Sequence, residues 1–291
     1  MIYKKYSGFH YTPPIPFELT AHQQILLMPI GDIHFGAKDF PTKHFVTTIK
    51  WASDRGATFL GMGEYLDFTS ASQRQVTNQL RESQLEKIDD WVQSNMEELF
   101  DLISFTRGRW LGLLEGDHRW TFETGISGDQ YLAEKLACDF LGTSALLRLD
   151  AGIKDHPEAD TIVFAHHGVG GGSTAGGHLN AVERKLKDIE ADIYLMGHSH
   201  AKLGTPLDRQ YISPDGVHYH RTKLLARTGS FYKAYKSMPP LALDQPAILS
   251  RGTYAEQRAY TPAAMGSICI GIGCENIPHS EYYCPTIHYS I

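Results

Sequence analysis

The stretch Ala191-Asp-Ile-Tyr-Leu-Met-Gly-His-Ser-His200 decides how the rest of the chain reads. A short apolar run closed by a glycine is a buried strand, and this one ends in two histidines one residue apart. Side chains at i and i+2 of an extended segment point the same way, so His198 and His200 can enter one site together. Imidazole is the commonest side-chain ligand for transition metals. An isolated pair of this kind is more often two solvent-facing loop histidines. What decides between the readings is whether other ligands end other strands.

Working outward, residues 24–30 read as a first buried strand, left by a loop that carries Asp32 and His34. Pro41 opens a helix running to about residue 55, and a second strand at 57–60 ends in a turn with Glu64 and Asp67. Alternation of strand and helix is the pattern of an α/β sheet. An apolar stripe from about residue 72 to 105 predicts a long helix, and core packing explains it fully. A third strand at 110–114 runs into Glu115-Gly-Asp-His-Arg119. A helix over 129–140 then leads to a strand at 161–165 that stops at His166 and His167. A glycine-rich loop over 168–177 and a short helix with Leu179, Val182, Leu186 and Ile189 on one face return the chain to the strand quoted above. Beyond His200, residues 217–221 and 224–231 read as β ribbons. The tail from about residue 239 reads as loop-rich, with a last strand at 267–271. There is no internal repeat and no linker-like segment. The expected organisation is one domain over 1–238 with an extension over 239–291 packed on it.

Composition narrows the function classes. With 291 residues, 42% hydrophobic and 21% charged, the chain has ample core and is not of the disordered class. A net charge of -6 argues against a broad electrostatic footprint for nucleic acid, although a local basic groove is compatible with it. Cys138, Cys269, Cys274 and Cys284 form no CxxC pair and no zinc-knuckle spacing, so reduced thiols are expected. The first sixteen residues lack an apolar signal core, and no window reaches the roughly 18 apolar residues of a membrane span. A cytoplasmic location without membrane contact is therefore expected.

The strand ends carry, in chain order, Asp32 and His34, Glu64 and Asp67, Asp117 and His118, His166 and His167, then His198 and His200. Ligands of open α/β sheets bind at the carboxyl ends of strands. This series, Asp32-Ile-His34, Gly63-Glu-Tyr-Leu-Asp67, Gly116-Asp-His118, His166 and Gly197-His-Ser-His200, resembles that of the calcineurin-like metallophosphoesterases, over about residues 24–231. Gly229-Ser230 is similar to a Gly-Ser turn many members carry after the last motif. The resemblance implies a four-layer α/β/β/α sandwich and a two-metal site. Asp32, His34 and His200 would hold one ion, Asp117, His166 and His198 the second, and Glu64 would bridge them. His118 would be the catalytic histidine beside the substrate.

The donor chemistry agrees with that implication. Mixed imidazole and carboxylate ligands suit manganese, iron, zinc or nickel, with manganese the first expectation, whereas calcium and magnesium favour oxygen shells. Two such ions can hold a hydroxide between them and clamp both oxygens of an in-line displacement, with His118 protonating the leaving oxygen or stabilising charge on a phosphate oxygen. The expected activity is phosphodiester hydrolysis. Alternatives are a DNA- or RNA-directed nuclease, a phosphomonoesterase, and a non-catalytic scaffold of the same fold.

Three positions depart from the family pattern: Glu64 replaces an aspartate, Asp117 an asparagine, and Arg119 an acid. Three carboxylates facing two cations would favour a monoanionic diester over a dianionic monoester. Without the acid, Asp67 becomes the expected partner of His118, while Arg119 and His167 become candidate substrate contacts. The glycine-rich loop lacks the pattern of a nucleotide P-loop. Tyr211, His218, Tyr219, His220 and Arg221 either contact a nucleotide or nucleic acid or are an exposed aromatic ribbon.

Overall fold

The computed structural model describes residues 24–37, 40–68, 82–151, 153, 155–172, 174–232, 235, 262 and 264–291, together with three short strands nearer the N-terminus. Those three are β1 (Lys5–Tyr6), β2 (Phe9–Tyr11) and β3 (Ile15–Pro16). The chain continues through β4 (Ile25–Ile30), α1 (Thr42–Asp54), β5 (Thr58–Gly61), α2 (Glu82–Ile103), β6 (Trp110–Leu114), α3 (Gly128–Leu136), β7 (Phe140–Gly142) and β8 (Ser144–Asp150). It ends with β9 (Thr161–His166), α4 (Ala175–Glu183), β10 (Ile193–Met196), β11 (Lys202–Ile212), β12 (His218–Ser230), β13 (Gly266–Ser267), β14 (Cys269–Asn276) and β15 (Tyr283–Ser290).

These strands form two mixed sheets. One has the order β15-β14-β4-β5-β6-β7, in which β4 to β7 run parallel. The other has the order β1-β2-β8-β9-β10-β12-β11, with β9, β10 and β12 parallel. Strand alternation divides the apolar residues into three cores. Leu27, Leu60 and Leu111 of the first sheet meet Val163, Leu195 and Ala226 of the second in a core between the sheets. The other face of the first sheet, with Met28, Ile30 and Phe59, packs on α1, α2 and α3 through Phe45, Ile49, Met96, Leu99 and Leu132. The other face of the second sheet, with Phe164, Tyr194 and Leu225, packs on Val182 of α4. The result is helix, sheet, sheet, helix, the four-layer α/β sandwich expected from the sequence.

Several expectations need correction. The helix expected over 129–140 ends at Leu136, because Ala137 turns left-handed (φ 57°) and the chain enters β7. Its start is fixed by Ser127, whose Oγ accepts from the Gln130 amide at 3.2 Å. Strand β8 was not expected at all, although it alternates inward and outward along its length and pairs with β9. The two expected ribbons are one strand, β12, whose partner β11 was also missed. In the tail, 269–276 and 283–290 form a hairpin that adds antiparallel to β4. Residues 72–81 of the expected long helix and the segment 239–261 lie outside the described residues. All four cysteines are free, and no helix among the described residues is long and apolar enough to cross a membrane.

Candidate metal centre

The turns that leave β4, β5, β6, β9 and β10 meet at one end of the sandwich. Those after β4 and β5 run side by side, with Asp32 N donating to Gly63 O at 2.9 Å and Ile33 N to Glu64 O at 2.8 Å. Asp32, His34, Glu64, His198 and His200 all have positive φ, between 45° and 65°. Non-glycine residues seldom adopt that region, and where they do the site is worth attention. Close approach requires glycine at two neighbouring points. A Cβ on Gly116 would lie 2.3 Å from Glu64 N, and one on Gly197 2.8 Å from Asp32 Oδ2.

Three sets of donors come together, each with ligand atoms within 4.8 Å of one another: Asp32, His34 and His200; His34, Glu64 and His118; Asp117, His167 and His198. Within the first, His34 Nε2 is 3.1 Å from His200 Nε2, and His200 Nε2 is 3.5 Å from Asp32 Oδ1. Within the third, His198 Nδ1 is 3.1 Å from Asp117 Oδ2. Glu64 lies between, with Oε2 2.8 Å from His118 Nδ1 and Oε1 3.3 Å from His167 Nε2. The last two approaches are close but off the axis of a hydrogen bond. Asp32 Oδ1, Glu64 Oε2, His118 Nδ1 and His167 Nε2 are therefore all buried without a hydrogen-bond partner. Buried polar atoms are nearly always paired, and leaving one unpaired costs about 1–3 kcal/mol. Those of Asp32, Glu64 and His167, of ligand type and in one place, fit a cation as the missing partner.

The electrostatics have the same origin. Burial would push Glu64 up, but His118 and His167 beside it hold its carboxyl well below the usual range. Its Oε1 also accepts from the amides of Asp117 at 2.5 Å and His118 at 2.8 Å. Glu64 in turn holds His118 above the ordinary histidine value, against the opposing effect of burial. Burial acts against the charged form of His167 too, but Glu64 and Asp32 raise it to about 9. His200 goes the other way, down to about 4, because burial outweighs the attraction of Asp32. Behind the Gly116 turn, burial drives Asp129 up to about 7 while it accepts from Gly116 N at 2.9 Å.

Among the sequence-predicted residues, Asp32, His34, Glu64, Asp117, His118, His198 and His200 are brought together. His166 is not. It ends β9 on the outward face, two residues from Phe164 of the outer core, and its Nδ1 accepts from Gly168 N at 2.7 Å. The next residue, His167, points inward with Nδ1 2.7 Å from Met62 O and Nε2 toward Glu64, so it joins Asp117 and His198. His167, expected as a substrate contact, is thus buried among the donors. Asp67 lies 3.3 Å from His34 Nδ1, and the carboxylate beside His118 is Glu64. Arg119 folds back along its own turn, 3.0 Å from Glu115 Oε1 and donating to Gly116 O at 3.3 Å.

Sequence reasoning missed two contributors. Tyr232 places its ring 5.2 Å from that of His34 and 5.6 Å from that of His200, walling one side of the centre. Arg227, wholly buried, donates from Nε to His178 O at 2.9 Å and from Nη1 to Gly197 O at 2.8 Å, fixing the turn before His198. Its signal was a lone cation in the otherwise apolar run Leu224-Leu-Ala-Arg227. The Gly229-Ser230 turn also has a part, since Ser230 Oγ donates to Asp32 O at 2.8 Å.

Fold and donors together define the class: a two-sheet α/β sandwich with a histidine and carboxylate cradle at its strand ends. No known family model and no curated protein matches the chain. Among solved structures, a single mutant of Vps29 from Entamoeba histolytica is 13% identical, over 92% of this chain and 100% of that one, with a TM-score of 0.37. Wild-type Vps29 complexed with zinc, from the same organism, is 11% identical over 91% and 98%, also at 0.37. Likeness at that level carries no argument about function, which rests on the residues themselves.

Proposed function

We propose that this protein is a dinuclear metal-dependent phosphoesterase that hydrolyses phosphodiester bonds. The observation that carries the reading is the gathering of donor clusters at the strand ends, in which buried atoms of Asp32, Glu64 and His167 lack a hydrogen-bond partner. Asp32, His34 and His200 would hold one ion and Asp117, His167 and His198 the other, with Glu64 between them. His167 takes the place that the family resemblance gave to His166. The donor set suits manganese, iron, zinc or nickel, and manganese is the ion to test first. Bound ions would supply Lewis acidity and a water acidified to near-neutral pH.

The chain's own residues do the rest. His118, whose protonated form Glu64 favours against burial, is one-third exposed, so it can deliver a proton to a departing alkoxide. Glu64 favours the protonated form of His118 and, through two amide hydrogen bonds, fixes the turn that carries it. Tyr232 narrows access on the His34 side. Asp32, Glu64 and Asp117 make the cradle rich in negative charge, which favours a monoanionic diester over a dianionic monoester.

The test combines metal analysis with turnover. After dialysis against manganese the protein should retain about two ions per chain, the stoichiometry of a two-metal site. It should hydrolyse bis-p-nitrophenyl phosphate faster than p-nitrophenyl phosphate, and His118→Ala should lower that rate by about a hundredfold or more. Failure to bind any divalent ion would overturn the reading. Metal binding without turnover would leave the scaffold alternative in its place.

A further inference from the structure

Three of the turns that bring donors to the centre run, within two residues, into one aromatic cluster. Phe68 directly follows Asp67, and Trp120 lies two residues past His118. Gly36 lies two residues past His34, and a Cβ there would be 4.0 Å from Trp91 Cζ2. The rings of Phe68 and Trp91 are 5.3 Å apart at 30°, and Trp120 meets Phe68 edge-on at 5.5 Å. Asp89 of α2 anchors the assembly, accepting from Trp120 Nε1 at 2.5 Å and from Glu123 N at 3.1 Å. Phe68 and Trp120 are partly buried, whereas Trp91 remains 42% exposed.

A single exposed aromatic ring is ordinary on a protein surface. Trp51, equally exposed, carries the Arg55 guanidinium 4.4 Å above its ring and lies on α1. Trp91 differs in being backed by two further rings that are tied to ligand-bearing turns. A flat ring packed on Phe68, with Asn95 Oδ1 and the Trp91 ring beside the same Gly36 turn and Asp89 on Trp120 Nε1, suits a thin planar group with polar edges. An alkyl chain would instead need enclosing apolar walls. Nucleobases meet that description, and stacking on an aromatic side chain is sequence-tolerant because every base has a π face.

We propose that Trp91, backed by Phe68 and Trp120, is a stacking platform for the base of a nucleotide ester whose phosphate lies at the metal centre. The inference rests on the phosphoesterase reading for the phosphate end and on the aromatic cluster for the base end. Trp91 is a specificity-determining residue, and its removal should weaken binding of the base without disturbing the ions.

Calorimetric titrations of the manganese-equilibrated full chain with adenosine 5′-monophosphate, ribose 5-phosphate and adenosine separate the two ends. The monophosphate should bind at least about tenfold more tightly than ribose 5-phosphate. Trp91→Ala should erase that advantage, leaving ribose 5-phosphate affinity and manganese content unchanged, while Trp91→Phe should retain most of it. Equal affinity of the two phosphates for the unaltered protein, or an advantage that survives Trp91→Ala, would overturn the platform. If ribose 5-phosphate does not bind while bis-p-nitrophenyl phosphate is turned over, the phosphoester reading stands; if neither occurs, that reading fails; in both cases adenosine judges the platform alone. Adenosine binding that Trp91→Ala removes supports it, and no adenosine binding overturns it.

Discussion

His167 separates the proposed ligand set from the one expected of the sequence. In the metal-free protein Glu64 and Asp32 outweigh burial and raise its pKa to about 9, so at pH 7 it carries a proton. A histidine ligates only as the neutral imidazole, and binding must therefore expel that proton. The expulsion costs about 1.36 kcal/mol per pH unit below the pKa, or roughly 2.7 kcal/mol at pH 7. Apparent affinity for the ion held with Asp117 and His198 should thus rise about tenfold per unit from pH 7 and level off above about 9. Manganese titrations at pH 7.5 in buffers of different ionisation enthalpy count the protons released. His167→Ala should lose about one of those protons and one of the two ions, whereas His166→Ala should keep both. The opposite pattern, with His166→Ala losing the ion, would refute the assignment. The sign for stability follows from the same shift. A histidine raised from 6.5 to about 9 by folding contributes stability fully present below about 6.5 and lost as pH rises through 9. The metal-free protein should accordingly melt at lower temperature at pH 9 than at pH 6.5, and His167→Ala should flatten that slope.

Two further outcomes follow from residues behind the site. Arg227→Met removes donors from the His178 and Gly197 carbonyls, and urea unfolding should show a loss of about 2–4 kcal/mol. Weaker manganese binding should accompany it, because Gly197 precedes His198; an unchanged unfolding midpoint would contradict the role. Asp129→Asn keeps an acceptor for Gly116 N while removing a carboxyl that folding raises to about 7. The protonated form's contribution is full below the unfolded value near 3.9 and is lost as pH rises through about 7. The variant should therefore gain stability over the original protein progressively between pH 4 and 7, reaching a few kcal/mol, and the gap should stay constant above. A gap that does not change with pH in urea titrations would count against a neutral buried Asp129.

Residues whose signal is local were legible in the sequence. The apolar runs of β4, β6, β9 and β10 end in ligand-type site residues within one to three positions, so the site's edge of the sheet could be read before the sheet was seen. Strand β8 was not legible, because apolar Leu146 on its outward side blurs an alternation that becomes meaningful only when β9 lies beside it and Asp160 pairs with Arg148 at 2.7 Å. Strand β11 is largely polar and contains Pro206, and its register is set entirely by β12. The choice between His166 and His167 turned on a single residue of register. Either histidine can end a strand, but only the side of the sheet holding Val163 and Ala165 faces Met62 and Glu64.

The same dependence on context explains how His198 and His200 are deployed. An extended segment would send both imidazoles the same way, yet their φ angles of 65° and 57° curl the backbone about Ser199. His198 consequently joins Asp117 and His167, and His200 joins Asp32 and His34. Left-handed geometry costs roughly 1–2 kcal/mol for each non-glycine residue, so the five such donors together cost about 5–10 kcal/mol. That is comparable to the whole net stability of a typical domain. Glycine would relieve the strain at any of these positions and would delete the donor. The strain persists because surrounding bonds over-determine the turns. His198 N donates to Asp32 Oδ2 at 2.9 Å, Phe231 N to Asp32 O at 3.0 Å, and Arg227 Nη1 to Gly197 O at 2.8 Å. Asp32 thereby joins three strand ends while keeping Oδ1 free of hydrogen bonds in the cradle, and the sequence retains side chains at strained positions where those side chains supply its donor atoms.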